Sequence, residues 1–366
     1  MVIELFYIFV AATTIQLLYF ICFSTVLFRK KQKETFTEIP ISVIICAKNE
    51  EKNLLRFFPS ILEQSYKNFE IVFINDASSD CTLEVMEEFH DHHPNIKIVN
   101  VQNNEAFWGN KKYALTLGIK TATHEHLLFT DADCKPVSKD WIQKIAQNFT
   151  AEKTIVLGYG KYSYLPKSFL NALIRFETLL TAIQYFSYAH LGSPYMGVGR
   201  NLSYHRANFF KTKGFIKHIQ VKSGDDDLFI QEAADATNTA ICLEPKSFTV
   251  SEPPLTWKAW FRQKRRHVST ASYYKLSHKL LLSLYVASKF LFYCLLLPLL
   301  FVYNWKVILL IAVLYYTTLY LVFGIYDKKL KEKKLSVLIP ALEICLLLFQ
   351  FSIFISNKIS KPTHWK

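Results

Sequence analysis

Between Val2 and Phe28 the chain carries a single charge, Glu4, and Arg29, Lys30, Lys31 and Lys33 follow at once. As a helix this 27-residue stretch reaches about 40 Å, more than the ~30 Å hydrocarbon core of a bilayer requires. A secretory signal places its positive charges before the apolar core and small residues at a cleavage site. Here the order is reversed, which predicts an uncleaved anchor whose C-terminal side is cytoplasmic. Three further apolar runs follow at residues 280–303, 307–326 and 335–356. Pro298 and Pro340 are tolerable in them because neighbouring helices satisfy the freed backbone groups. Lys289 is expected to snorkel, or to mark a junction between an interfacial helix and the span. Glu343, costly in lipid, is expected to face protein or a polar substrate path. The loop at 327–334 holds five lysines and reads as cytoplasmic. Four spans then put the tail, with Lys358, Lys361 and Lys366, outside against the positive-inside rule, so a three-span topology stays open.

Composition narrows the class. With 51% hydrophobic and 20% charged residues the chain can bury enough surface to fold, which excludes disorder. Ten Gly and 12 Pro exclude a collagen-like chain. The net charge of +13 sits largely beside apolar runs, which predicts a membrane and no nucleic acid as partner. The seven cysteines include no C-x-x-C pair, so neither a zinc knuckle nor a disulfide framework is readable and a reducing compartment follows.

Residues 35–278 alternate strand and helix signals. Strands are expected at 41–46, 70–74, 97–101 and 125–129, and helices at 50–63, 81–90 and 111–120. This repetition predicts a mainly parallel sheet with helices on both faces, and ligands bind off the carboxyl ends of such strands. Polar clusters stand at those ends: Ala47-Lys48-Asn49-Glu50-Glu51, Asn75-Asp76-Ala77-Ser78-Ser79-Asp80 and Thr130-Asp131-Ala132-Asp133. Any of them could cap a helix. Asp131 and Asp133, however, repel each other unless a cation neutralises them, and oxygen ligands of this kind suit Mg²⁺ or Mn²⁺ on a substrate's phosphates. Ser223-Gly224-Asp225-Asp226-Asp227-Leu228 is the densest acidic patch. It reads either as a solvated helix start or as the seat of a general base whose pKa is raised by like charges.

The ordered set AKNEE, NDASSD, GNKKYALTLG, TDADC, GDDDLF and QKRRH resembles a family 2 glycosyltransferase of GT-A fold over residues 41–274. The resemblance implies an α/β, Rossmann-like nucleotide-diphospho-sugar transferase domain at 35–278. Around it would stand an anchor at 1–28, an interfacial helix near 255–278, about three transmembrane helices at 280–356 and a tail at 357–366. It makes Ala47, Asn49, Glu50 and Asp76 nucleoside contacts. Lys111 matches the lysine of the family's G-K-x-x-A-L-N segment, although Asn110 is inserted after Gly109 and Thr116 replaces the final Asn. Asp133 becomes the metal ligand, with Asp131 against the ribose or the metal. Anchoring the family's E-D-x-D/E-L pattern on Gly224 makes Asp226 the base, and anchoring it on Asp227-Leu228 makes it Asp225; Asp226 is taken here. Gln263-Lys264-Arg265-Arg266-His267 resembles Q-x-x-R-W with His267 in place of Trp, which puts Gln263 and Arg266 by the diphosphate and acceptor. The alternative is a basic face of Arg262, Lys264, Arg265 and Arg266 lying on anionic lipid. Residues 195–201 resemble the glycine-containing loop on the acceptor side.

What this implies is an inverting, metal-dependent transfer from a nucleotide-sugar, UDP-linked, to a lipid or lipid-linked acceptor. The enzyme would be an integral protein of a bacterial-type inner or plasma membrane with its catalytic domain cytoplasmic, in a layout similar to ceramide-glucosyltransferase-like enzymes. A processive polysaccharide synthase, a catalytically silent nucleotide- or lipid-binding membrane protein and a metal-dependent phosphohydrolase are the alternatives.

Overall fold

The computed structural model describes residues 1–29, 38–102, 111–221 and 223–360. Lys30, Lys31, Lys33, Gly109, Asn110, Lys361 and Lys366, named above, lie outside the described residues. After helix α1 (Val2–Thr25) the chain forms β1 (Ile41–Ala47), α2 (Glu51–Phe57), α3 (Pro59–Leu62), β2 (Phe69–Asp76), α4 (Thr82–His92), β3 (Ile96–Val101), α5 (Lys111–Thr121) and β4 (His126–Asp131). The single helix expected at 50–63 is two, because Pro59 has no amide hydrogen and interrupts the ladder.

Strands β1 to β4 are parallel, in the order β3-β2-β1-β4. Val43, Ile45, Phe73 and Leu128 pack on one face of this sheet, while Ile44, Val72, Ile74, Leu127 and Phe129 pack on the other. The near-continuous apolar runs follow from that double burial, since each face is covered by helices.

Beyond β4 the elements shorten: β5 (Cys134–Pro136), α6 (Trp141–Ala146), β6 (Ile155–Leu157) and β7 (Gly160–Tyr162). The long α7 (Phe169–His190) precedes β8 (Leu202–His205), α8 (Arg206–Lys211), α9 (Asp227–Ala233), β9 (Thr239–Ile241) and β10 (Thr249–Ser251). The main sheet runs β3-β2-β1-β4-β8-β6-β9, with β8 antiparallel to both neighbours, and β5-β10-β7 form a second sheet.

The chain ends in α10 (Trp257–Ser269), α11 (Leu276–Val302), α12 (Trp305–Lys329) and α13 (Ile339–Ile359). The four stretches Val2–Phe28, Leu276–Val302, Trp305–Lys329 and Ser336–Ile359 are long and apolar enough to cross a membrane. The two polar residues that are anomalous in lipid resolve each other. Lys289 of α11 lies 2.5 Å from Glu343 of α13, which also accepts from the Tyr293 and Tyr315 hydroxyls at 2.6 and 2.9 Å. Both charges are buried, so their hydrogen bonds are what makes them tolerable.

The α/β domain is tied to these helices at several points. Arg29 donates to the Ile241 carbonyl at 2.6 Å. Glu332, in the loop after α12, accepts from Arg175 Nε of α7 at 2.8 Å and from the Tyr159 hydroxyl at 2.9 Å. On α10, Trp260 stacks on Phe349 of α13 with ring centroids 3.8 Å apart. Arg265 donates to Asn357 and to the Ser360 hydroxyl, each at 2.9 Å. Of the basic residues expected on lipid headgroups, Arg265 is therefore engaged by α13, and Lys264 pairs with Glu177 of α7 at 2.6 Å.

Candidate active site

Register builds the site. Cys46 of β1 stands opposite Ile74 of β2 and Asp131 of β4, and Ala47 opposite Asn75, so three adjacent parallel strands end level. Their carboxyl-end loops are then stitched together. Asn49 Oδ1 accepts from the Ser79 amide at 2.8 Å, the Ser78 hydroxyl accepts from the Asn49 amide at 3.0 Å, and Thr82 Oγ1 accepts from the Glu50 amide at 2.8 Å. Asn49 sits at φ 55° and Ala77 at φ 50°, left-handed conformations that close this double turn.

Asp76 ends β2 with only 4% exposure, and its Oδ2 has no hydrogen-bond partner among the described residues; Lys48 Nζ is 4.0 Å away. Burial raises its pKa against the pull of Lys48 and Lys111. Asp76 lines the cleft described below, and a buried carboxylate oxygen without a hydrogen-bond partner suits a hydroxyl or N–H donor of a ligand.

Lys111, at the start of α5, lies 3.0 Å from Asp131 Oδ1 and 3.1 Å from Asp225 Oδ2. Burial pulls its ammonium pKa down, but the two carboxylates more than offset this and hold it well above its ordinary value. Asp225 is held low in turn: burial raises it, and Lys111 overrides. The next lysine, Lys112, points elsewhere and donates to the His218 and Val221 carbonyls at 2.7 and 2.9 Å, steadying the approach to the acidic turn.

That turn depends on Gly224, whose φ of +92° a side chain would strain and whose Cβ would stand 2.6 Å from Leu228. It brings the three aspartates to the start of α9 in three environments. Asp226 accepts from the Gly199 and Asp227 amides, each at 2.8 Å. Burial, then the charges of Asp225 and Asp227, push its carboxyl up to about 7. Asp227 is buried and accepts from Thr270 at 2.5 Å and Tyr274 at 2.6 Å. The solvated helix start is thus not what forms.

Asp131, Asp133 and Cys134 place their ligand atoms within 4.8 Å of one another. Burial, then Asp131, push Asp133 up to about 6, a crowding that a cation relieves. Burial and the neighbouring carboxylates keep Cys134 a thiol, so the donor set is two carboxylates, as a hard cation prefers. Arg200 stands nearby, its guanidinium 4.3 Å above the Tyr162 ring and bonded to Ser251 at 2.7 Å.

A cleft of about 1500 Å³ gathers Glu50, Asp76, Lys111, Asp131, Asp133, Asp225, Asp226, Gln263 and Arg266 on its walls. Ala47 and Asn49 are not among its lining residues: Ala47 is buried in β1, and Asn49 holds the two loops together. Gln263 donates to the Tyr162 hydroxyl at 3.3 Å. Burial lowers the Arg266 pKa while Asp225, Asp131 and Asp226 oppose it, which places this guanidinium in the acidic field. Sequence reading missed Glu177, Thr181 and Gln184 as cleft residues, although their spacing along one helix was a usable signal.

Residues 42–207 match the Glycosyl transferase family 2 profile, and residues 126–324, more than half of the chain, match Glycosyl transferase family group 2. A 4,4'-diaponeurosporenoate glycosyltransferase of Staphylococcus haemolyticus is 27% identical over 50% of this chain and 49% of its own length. A poly-beta-1,6-N-acetyl-D-glucosamine synthase of Staphylococcus epidermidis is 37% identical over 25% of this chain and 21% of its own. The chain therefore spans half or less of these relatives. The mannosyltransferase PcManGT from Pyrobaculum calidifontis, solved with GDP-Man and Mn²⁺, superposes with a TM-score of 0.59 at 18% identity, covering 94% of this chain and 99% of that one. It shares the mixed α/β fold. Level strand ends, the acidic turn and the family profiles agree, and the chain belongs to the family 2 glycosyltransferases.

Proposed function

We propose that this enzyme moves a sugar from a UDP-sugar to a hydroxyl of a membrane-associated lipid or lipid-linked acceptor, with inversion at the anomeric carbon. The observation that carries the reading is the meeting of Asp76, Asp131, Asp133 and the Asp225–Asp227 turn in one cleft beside the apolar helices.

In this reading Asp76 accepts from the nucleoside, with Glu50 beside it and Asn49 fixing the loop that presents both. Asp131 and Asp133 would hold a divalent cation, which takes up charge on the departing diphosphate. Arg266 and Gln263 of α10, both on the cleft wall, would meet the diphosphate. Lys111 pairs with both Asp131 and Asp225 and holds the two carboxylates in place. Asp226, with a pKa of about 7, is matched to taking a proton from the acceptor hydroxyl near neutral pH. The acceptor oxygen attacks the anomeric carbon as the sugar–phosphate bond breaks; one displacement inverts the centre, and the proton ends on Asp226.

A lipid acceptor is supported by the reach of the cleft wall to Leu282 of α11 and to Ser360 beyond α13. The catalytic domain is assigned to the cytoplasmic side, at a bacterial-type inner or plasma membrane. The name of the Staphylococcus epidermidis relative favours one second reading, processive polymer synthesis.

The test is to supply the protein in lipid nanodiscs, with Mn²⁺, a panel of labelled UDP- and GDP-sugars and a membrane lipid extract. A single added sugar in the organic phase, from a UDP donor alone, supports the proposal. A ladder of products would move the reading to a synthase, and a GDP-only donor would overturn the nucleotide.

A further inference from the structure

Helix α7 is enclosed by protein nearly all round, by the sheet domain on one side and by α1, α12 and α13 on others. From Leu173 to Ala189 the positions that keep partial exposure are Glu177, Thr181 and Gln184. They are spaced by four and then three residues, so they form one stripe along the helix, and all three line the cleft. Elsewhere this segment is largely aliphatic and aromatic.

The stripe is ordered. Thr181 donates to Glu177 Oε1 at 3.1 Å, and Lys264 of α10 lies 2.6 Å from Glu177 Oε2. Tyr195 lines the same cleft, and burial, then the charges of Asp227 and Glu177, push its pKa up. The cleft, at about 1500 Å³, also exceeds the ~300–1,000 Å³ usual for one small ligand, which leaves room for a second substrate.

We propose that Glu177, Thr181 and Gln184 form the acceptor subsite and that it selects an uncharged, hydroxyl-bearing head group. The inference rests on the transfer reaction proposed above. Its charge argument is independent of that reaction: Glu177 is neutralised by Lys264 and Lys264 by Glu177, so neither an ammonium nor a phosphate finds an uncompensated partner at the stripe. What remains on offer is a carboxylate oxygen, a hydroxyl and a carboxamide, which pair well with alcohol groups and poorly with alkyl chain. The stripe thus fixes the head of the acceptor while the apolar helices accommodate its tail.

The test uses the full chain in nanodiscs and hexyl β-D-glucoside as probe, read by saturation-transfer NMR, with hexanol, hexylamine and hexyl phosphate as controls. The sugar-ring protons of the glucoside are expected to saturate in the wild type. In Gln184→Ala and Thr181→Val, which leave the ion pair intact, binding should weaken about five- to tenfold, the loss of one or two hydrogen bonds. UDP affinity should be retained. Equal saturation in the variants, saturation of alkyl protons alone, or tighter binding of the amine or the phosphate overturns the subsite. Failure of UDP to bind at all would instead count against the transfer reaction, and the glucoside arm would still decide the stripe.

Discussion

Asp226 has a carboxyl held near 7 by burial and by two neighbouring aspartates. As the proposed base it works only when ionised, so turnover is expected to rise with pH along a limb centred near 7 and to level above it. Asp226→Asn should lower kcat by ~10²–10⁴-fold and abolish that limb. The sign for stability is opposite. A raised folded-state pKa means the native protein binds this proton more tightly than the unfolded chain, so stability is lost as pH rises through about 7. The Asn variant should accordingly melt higher than wild type at pH 8 while being nearly inactive. A pH–rate profile and a melting curve check both halves; an unchanged ascending limb in the variant would assign the base elsewhere. Asp76, Asp131 and Asp133 were legible because each follows an apolar strand, where side chains must emerge at the sheet edge. The choice between Asp225 and Asp226 was not, because it depends on Gly224's φ and on Lys111, which is 114 residues from Asp225 in sequence.

At the scale of elements, the four long strands and the apolar helices were readable, since short apolar segments bounded by polar clusters and runs beyond 18 apolar residues leave few alternatives. Strands β5 to β10 have three or four residues each and carry no period to detect. Helix α7 was unread for another reason: buried almost all round, it shows no clear apolar face, and only its polar stripe marks it. The Lys289–Glu343 pair tests helix packing directly. Lys289→Met leaves Glu343 buried with two tyrosine donors and no cation, and the cost is expected near 3–5 kcal/mol. The double change with Glu343→Leu should recover most of the loss. Melting in detergent reads both; equal stability of the single and the double variant would show that the pair does not couple α11 to α13.

For the whole molecule, the helices and the α/β domain form a joined body, and α13 is the element whose course matters most. Its approach is fixed beside the domain through Glu332, and its end through Arg265 on Asn357 and Ser360. Both ends thus meet elements of the catalytic side, so Ser360 is expected on that side. The native exposed Cys81 and an introduced Ser360→Cys should react with a membrane-impermeant maleimide from the same face of sealed vesicles. Labelling from opposite faces would restore a tail across the bilayer. This course was hidden in sequence because hydropathy gives the length of an apolar run and not its direction.

The central claim, that separate carboxylates divide donor binding from proton removal within one cleft, is tested most directly by calorimetric titration of UDP with Mn²⁺ into wild type, Asp133→Asn and Asp226→Asn. Asp226→Asn should bind as wild type within about threefold, and Asp133→Asn should lose at least about tenfold together with its Mn²⁺ dependence. The opposite pattern, binding lost with Asp226 and kept without Asp133, would contradict the account.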